Sequence, residues 1–203
     1  MRSVDDARQL ETDRLVLRAS DPSFATEVAD FYARNAVAHA RWNPPLGEEI
    51  YSATAQAERL AEAEVAARQG SAIAWWLFAK NGRGPLLGRI HFSQITRRAF
   101  QNAMLGYALD HRHEGRGLMH EALQAALADA FGPRVGLHRV QANVRPENAR
   151  SLALLDRLGF EREGLAREYL FIEGAWRDHV LTALRNPAWA IDVQPAAGEV
   201  RSG

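Results

Sequence analysis

The chain contains no cysteine. Disulfides, thiolate metal sites and cysteine nucleophiles are thereby excluded. Neither charge is in excess: Lys+Arg and Asp+Glu each number 25, giving a formal net charge of +0 at pH 7. Broad, sequence-independent nucleic-acid binding needs a basic excess, so no such partner is expected, although a local basic patch stays allowed. No run reaches the roughly 18 apolar residues of a membrane span. Residues 1–14 also lack the apolar centre of a secretory signal. A soluble cytoplasmic protein without a membrane partner is the expectation. There is no Gly-Lys-Ser/Thr, which excludes a Walker-type nucleotide loop. His111, His113, His120 and His138 show no zinc-type spacing, so no metal is expected.

What is present is enough chain, 203 residues, for one compact domain with a sizeable core. We expect a single domain over residues 1–190 and a flexible tail over 191–203, where Pro, Ala and Gly dominate. Residues 1–9 are polar and read as loose. Leu15-Val-Leu-Arg-Ala19 alternates as a strand does, and Asp21-Pro22 opens a helix carrying Phe24, Val28, Phe31 and Tyr32. After Asn43-Pro-Pro45, the Ala-rich stretch 50–69 reads as a helix, with Ile50, Ala53, Ala57, Leu60, Ala61 and Val65 on one face and Gly70 at its end. Strands are expected at 74–79, 86–93 and 102–109, a helix at 118–131, a strand at 138–144 and a helix at 148–158. Phe160, 168–172 and 176–184 read as closing strands, the last two joined at Glu173-Gly174. Strand-helix-strand units beside a meander imply an α/β (α+β) fold with a mixed central sheet and flanking helices.

The most informative segment is Leu105-Gly-Tyr-Ala-Leu-Asp110 running into Arg112-His-Glu-Gly-Arg-Gly117. A strand stops, glycines turn, and a helix begins at Leu118. Amides at such a turn point outward without partners, and the helix dipole adds partial positive charge. With Arg112 and Arg116 this makes an anion site, most simply for phosphate. Two glycines in a strand-to-helix turn also occur for purely steric reasons. A Rossmann fingerprint fits poorly, since the unit follows a meander and has the wrong glycine spacing.

A second motif is Asn143-Val-Arg-Pro-Glu-Asn-Ala-Arg-Ser151, before Leu158-Gly-Phe160. Asn148 reads by itself as a helix cap. Asn148 and Ser151 are three apart, however, and share a face at the first turn, where they could grip the other end of one ligand.

Taken together, Arg112-x-x-Gly-x-Gly117 after a strand, Asn148-x-x-Ser151 and Leu158-Gly-Phe160 resemble the GNAT superfamily of acetyl-CoA-dependent N-acetyltransferases. Gly117-Leu-Met119 and Trp176-Arg-Asp-His179 resemble more specifically its RimJ-like branch, the ribosomal-protein-alanine N-acetyltransferases. The resemblance covers roughly residues 10–189. It implies the GNAT fold with a splayed strand pair, acetyl-CoA as co-substrate, and direct transfer of acetyl in a ternary complex. The acceptor would be a protein N-terminal α-amine, of the kind on alanine-starting ribosomal protein S5, with the ribosome itself a further partner.

Residue by residue, the resemblance implies that the amides of Gly115, Arg116, Gly117 and Leu118 hold the CoA pyrophosphate, helped by Arg112, with Met119 beside them. Ala108 and Leu109 would splay from the strand at Val140 to Asn143, and the pantetheine arm would pair there like an added strand. Asn143 and Asn148 would contact that arm. An amide near Leu109 would polarise the thioester carbonyl and stabilise the oxyanion. Ser151 matches the serine that protonates the leaving thiolate in RimL-type enzymes. Their basic glutamate falls by ungapped count on Leu170, which cannot serve. Glu168 and Tyr169 are the neighbouring candidates, on opposite faces by strand alternation. A relayed water is equally open, and Glu168 also reads as a solvated strand charge. Trp75, Trp76 and Trp176 could line an acceptor pocket, or be core. Arg97, Arg98 and Phe100 could flank its channel, or form a charged hairpin turn. The acceptor cleft is expected between residues 30–60 and the final hairpin. Two other functions share these residues: acetylation of a small-molecule amine, and a non-catalytic CoA-binding, ribosome-associated module.

Overall fold

Both faces of the strands carry apolar side chains, which demands helices on both sides of the sheet. In strand β3 (Ile73–Ala79), Trp75 and Leu77 enter one core while Trp76 enters another. The structure, a computed structural model, describes residues 9–82 and 84–189. These form an eight-stranded sheet with β1 (Gln9–Glu11), β2 (Leu15–Ala19), β4 (Gly88–Thr96), β5 (Asn102–Leu109), β6 (Arg139–Val144), β7 (Glu161–Ile172) and β8 (Ala175–Arg185), in the order β1-β2-β3-β4-β5-β6-β8-β7. Every neighbouring pair is antiparallel except β5 and β6. The helices are α1 (Ala25–Ala40), α2 (Ala53–Arg68), α3 (Leu118–Phe131) and α4 (Ala149–Arg157). None of them is long and apolar enough to cross a membrane.

The larger core lies beneath α3 and α4. Helix α3 contributes Leu118, Met119, Leu123 and Leu127 on one stripe, each stabilising by about 2 kcal/mol through burial. Gly132, followed by Pro133, stops the helix. The smaller core lies beneath α1 and α2, where Val28, Phe31 and Leu60 meet Trp76 and Leu86.

The feature that positions a site is the β5–β6 pair. It is zipped only at Asn102 with Arg139, Ala103 with Val140 and Met104 with Gln141. Beyond that the strands diverge, as expected of a splayed pair. Asp110 donates its amide to Leu87 O at 2.7 Å, on the β4 side. Antiparallel alternation therefore turns the N–H and C=O of Tyr107 and Leu109 away from β4, into the gap.

Strand β5 and helix α3 have the bounds expected from the sequence. Elsewhere the structure corrects the reading. Gln9, taken as loose, pairs with Arg18 in the added strand β1. The expected helix over 50–69 is broken at Ser52, which caps α2 after a short 3-10 turn, Glu48–Tyr51. Its buried face is Gln56 and Leu60, with Ala53 and Val65 exposed. Gln56 can be buried because its Nε2 donates to Ile50 O at 2.6 Å, closing that turn. β4 begins at Gly88, two residues late, with Leu86 and Leu87 buried in the preceding loop. The closing region is one long strand, β7, carrying two irregularities, rather than separate pieces. The expected flexible tail, 191–203, lies outside the described residues.

Candidate active site

The turn from β5 into α3 is left open by its own backbone. Gly115 and Gly117 take φ of 74° and 75°, the left-handed region that glycine enters without steric cost. Gly117 occupies the N-cap and has no side chain with which to close it. Among the described residues, nothing accepts from the amides of Gly115, Arg116, Gly117, Leu118 or Met119. Glycine, not geometry alone, makes this terminus accessible to an anion.

Remote contacts hold the turn in place. Asp110 is fully buried and caps a short 3-10 turn, His111–His113, by accepting from the Arg112 amide at 3.0 Å. It also accepts from Arg112 Nη2 at 2.9 Å and, from α1, Arg34 Nε at 2.6 Å. Burial alone would raise the Asp110 pKa, but the hydrogen bonds from Arg112 and Arg34 outweigh it and hold the carboxyl well below the usual range. Asn35 of α1 accepts from the His111 amide at 3.0 Å. On the other side Arg14 donates to Arg116 O at 2.9 Å and to Glu121 Oε2 at 2.6 Å.

The N-terminus of α4 is closed. Asn148 Oδ1 accepts from the Ser151 amide at 3.1 Å. Ser151 nonetheless keeps its hydroxyl at the first turn, on the face of the sheet that also receives Tyr107. The Tyr107 hydroxyl is buried and faces Ser151 without completing a well-formed hydrogen bond. Burial pushes its pKa up to about 12, while the Ser151 hydroxyl pulls the other way. An exposed ion pair, Arg150 with Glu114, joins the two helix starts across the gap.

A cavity of about 390 Å³ opens on the opposite face, under α1. Tyr32, Asn35, Ala36 and His39 line it at helical spacing, with Ala108 of β5 below. Leu46, Tyr51 and Glu173 complete its lining. Glu173 and Gly174 both have positive φ, the two-residue hairpin geometry that turns β7 into β8. Arg145, only 8 % exposed, pins this hairpin by donating to Glu173 Oε2 at 3.2 Å and to Arg41 O at the end of α1. His39 Nε2 lies 2.9 Å from Leu109 O. Burial lowers the His39 pKa, partly offset by that carbonyl.

The structure places Leu109, the 115–119 turn and Ser151 around one gap, whereas Ala108, also expected there, turns its backbone to Arg89 of β4 and lines the α1 cavity. It separates others. Arg112 does not face outward as a free cation; its guanidinium is paired with Asp110. Asn148 acts as a cap. Asn143 lies on the opposite side of β6 from Val140, Ala142 and Val144, which enter the α3–α4 core. Its Nδ2 donates to the Tyr169 hydroxyl at 2.8 Å, and its Oδ1 is buried without a partner. Glu168 sits exposed on the edge strand at φ 49°, its amide held by Asp178 at 2.9 Å. This irregularity breaks the strand alternation on which the reading of Glu168 and Tyr169 rested.

Trp75 and Trp76 are core, at 1 % and 7 % exposed, while Trp176 is exposed and packs edge-on against Phe171. Arg97, Arg98 and Phe100 lie at the start of β5, roughly 25 Å from its site end at a rise of about 3.3 Å per residue. The cavity lies between the 30–60 region and the final hairpin, where the acceptor cleft is expected. Sequence reasoning missed His39, Tyr107, Asp110, Arg14, Arg145 and Glu173. The one available signal was the stripe Tyr32, Asn35 and His39, recurring at helical spacing along α1.

With this geometry established, relatives give it a family. Residues 14–161 match the family model described as acetyltransferase (GNAT) domain. The chain is 41% identical over 182 residues to the [ribosomal protein uS5]-alanine N-acetyltransferase of Escherichia coli (strain K12), covering 89% of this chain and 92% of that protein. Among solved structures, the ribosomal-protein-S5-alanine acetyltransferase from Vibrio fischeri superposes with a TM-score of 0.85 at 31% identity, covering 90% of this chain and 98% of that one. Mycobacterium smegmatis RimJ in complex with CoA-disulfide gives 0.78 at 29% identity, over 84% of this chain and 81% of that one. Matched over most of its length by these relatives, the chain belongs to the GNAT acetyltransferase family.

Proposed function

We propose that the protein transfers acetyl from acetyl-CoA to the N-terminal α-amine of an alanine-starting protein, ribosomal protein uS5. The observation that carries the co-substrate assignment is the row of partnerless amides from Gly115 to Met119 at the mouth of the β5–β6 gap. Acetyl-CoA fits this shape, with a pyrophosphate for the amides and an amide-bearing arm for the exposed strand edges. The orphaned Tyr107 hydroxyl beside the gap supplies a further unmet hydrogen-bonding group. Acetyl-CoA supplies an activated acyl carbonyl.

The chain's own residues do the rest. The amides of Gly115, Arg116, Gly117, Leu118 and Met119 hold the pyrophosphate, and the gap-facing backbone edges of Tyr107 and Leu109 align the arm. The Leu109 N–H, aimed into the gap, is the donor for charge developing on the carbonyl oxygen. Ser151, at a helix start whose dipole favours a nearby anion, delivers a proton to the departing sulfur. Tyr107, neutral because of its high pKa, can keep a proton in reserve behind Ser151. The α1 cavity receives the acceptor terminus. The substrate assignment rests on the uS5-directed relatives, which match nearly the whole chain.

The test is CoA release from acetyl-CoA with a peptide bearing the uS5 N-terminal sequence from its alanine. The controls are the same peptide with a blocked terminus and a panel of small amines. Turnover confined to the free-alanine peptide is the expected result. Turnover on small amines alone assigns a metabolite acceptor, and CoA binding without turnover assigns a binding module.

A further inference from the structure

The amine's proton still needs a destination, since Glu168 lies on the far edge of the sheet. We propose that His39 is the proton acceptor for the incoming amine, an inference that rests on the proposed acetyl transfer in the α1 cavity. Three observations carry it.

His39 lines the cavity and touches β5 at Leu109, the residue whose N–H is aimed into the gap. The ring therefore stands where the acceptor cavity meets the transfer point. The contact with Leu109 O also fixes the tautomer. A carbonyl can only accept, so Nε2 carries the hydrogen and Nδ1 the lone pair. Nδ1 makes no hydrogen bond among the described residues and is not sealed in. A backbone acceptor that orients an imidazole from behind while the other nitrogen works is the arrangement of a general base.

The surrounding charges keep the ring neutral and ready. Burial disfavours the imidazolium, and Arg89 and His111 add repulsion; Leu109 O and Glu114 act in the opposite sense. Glu173, across the cavity, is held by Arg145. A free α-amine ordinarily titrates at about 8, so full transfer to this ring before attack is uphill. It becomes favourable as the carbon–nitrogen bond forms and the nitrogen loses basicity. In the complete step that bond forms, the carbon–sulfur bond breaks, Nδ1 takes the amine proton, and Ser151 gives one to the sulfur. Solvent then resets both groups.

His39→Gln tests the assignment, because glutamine can still donate from its amide to Leu109 O but has no basic nitrogen. Expected is a fall in kcat of about 100-fold, with KM for the peptide and affinity for acetyl-CoA retained. A peptide ending in an alkoxyamine, whose nitrogen is far less basic, should show a defect several-fold smaller. By nuclear magnetic resonance, the imidazole signal lost in His39→Gln should titrate below the ordinary histidine value of about 6.5 in the wild type. A variant within about threefold of wild type overturns the proposal, since general-base loss costs far more. An equal defect on both acceptors also overturns it, making His39 only a positioning residue. If the wild type acetylates small amines but not the peptide, the substrate reading fails and the same comparison on the small amine still decides His39. A wild type inert toward every amine overturns both.

Discussion

Helices α3 and α4 both begin beside the splayed strands, yet their first turns are built in opposite ways. The α4 start satisfies itself: Asn148 accepts from the Ser151 amide. The α3 start has glycine where a capping side chain would stand, and its amides find no acceptor among the described residues. A self-capped terminus needs little outside help. An open one forgoes roughly 1 kcal/mol of capping and must be held from elsewhere. Asp110 with Arg34 and Arg112, and Arg14 with Glu121, supply that hold. Helix α1 carries Arg34 and Asn35 for the turn, and also Tyr32 and His39 for the cavity. The open terminus and the α1 cavity thus share one support.

Breaking that support should have the largest effect. Asp110→Ala leaves Arg34, whose side chain is 20% exposed, without its carboxylate, with only the Leu86 carbonyl still accepting from it. Losing one member of a buried pair costs about 3 kcal/mol or more, read as a lower midpoint in chemical unfolding. The sign with pH follows from the depressed Asp110 pKa. Its stabilisation is fully present above the unfolded carboxylate value of about 4 and is lost as pH falls below it. The gap between wild type and Asp110→Ala should therefore narrow in acid. A gap independent of pH would show that the ionised carboxylate is not what holds the turn.

At the closed terminus, Ser151→Ala separates chemistry from capping. The Ser151 amide, not its hydroxyl, is what Asn148 holds, so the fold should survive. We expect kcat to fall by about 100-fold at most, since a thiolate leaves more readily than an amine or alkoxide and needs less acid assistance. Affinity for acetyl-CoA by calorimetry should be unchanged. A parallel loss of affinity would place Ser151 in binding instead.

Gly117→Ala examines the open terminus directly. Its φ is 75°, and a Cβ would sit 3.5 Å from Arg14 Nη2, so space is adequate but the backbone conformation is costly. About 1 kcal/mol of strain is expected from an L-residue in the left-handed region. If the turn relaxes to escape it, the row of amides is disturbed. Acetyl-CoA affinity should then fall by about tenfold, the equivalent of roughly 1.4 kcal/mol.

How legible these two termini were in the sequence differs in kind. The bounds of β5 and α3 could be read because they depend on local facts: an apolar run, glycines, then a 3.6-residue stripe ended by Gly132-Pro133. The expectation of an anion site at the turn rests on equally local features. What failed was long-range. Nothing nearby in sequence reveals that the Arg112 guanidinium pairs with Asp110, or that Asp110 is buried under Arg34, 76 residues away. The position of Glu168 depends on an irregularity created by pairing β7 with β8, which strand alternation cannot foresee. His39 is defined by a carbonyl 70 residues further on. Local punctuation was written plainly; contacts made only on folding were not.

The smallest effect is expected from Asn148→Ala, and it sharpens the contrast most. Removing the cap from α4 should cost about 1 kcal/mol, because Asn148 Oδ1 no longer accepts from the Ser151 amide. The variant would give the protein two open helix starts flanking one gap. If an open terminus alone made an anion site, the acetyl-CoA affinity of Asn148→Ala would rise. We expect no rise. The α4 start lacks the left-handed glycines that expose several consecutive amides at α3, and Asn148 itself sits at φ −84°. Unfolding midpoint and calorimetric affinity, measured on one preparation, decide the matter. A stability loss with unchanged affinity assigns the anion site to the glycine turn, whereas a gain in affinity would make the missing cap sufficient.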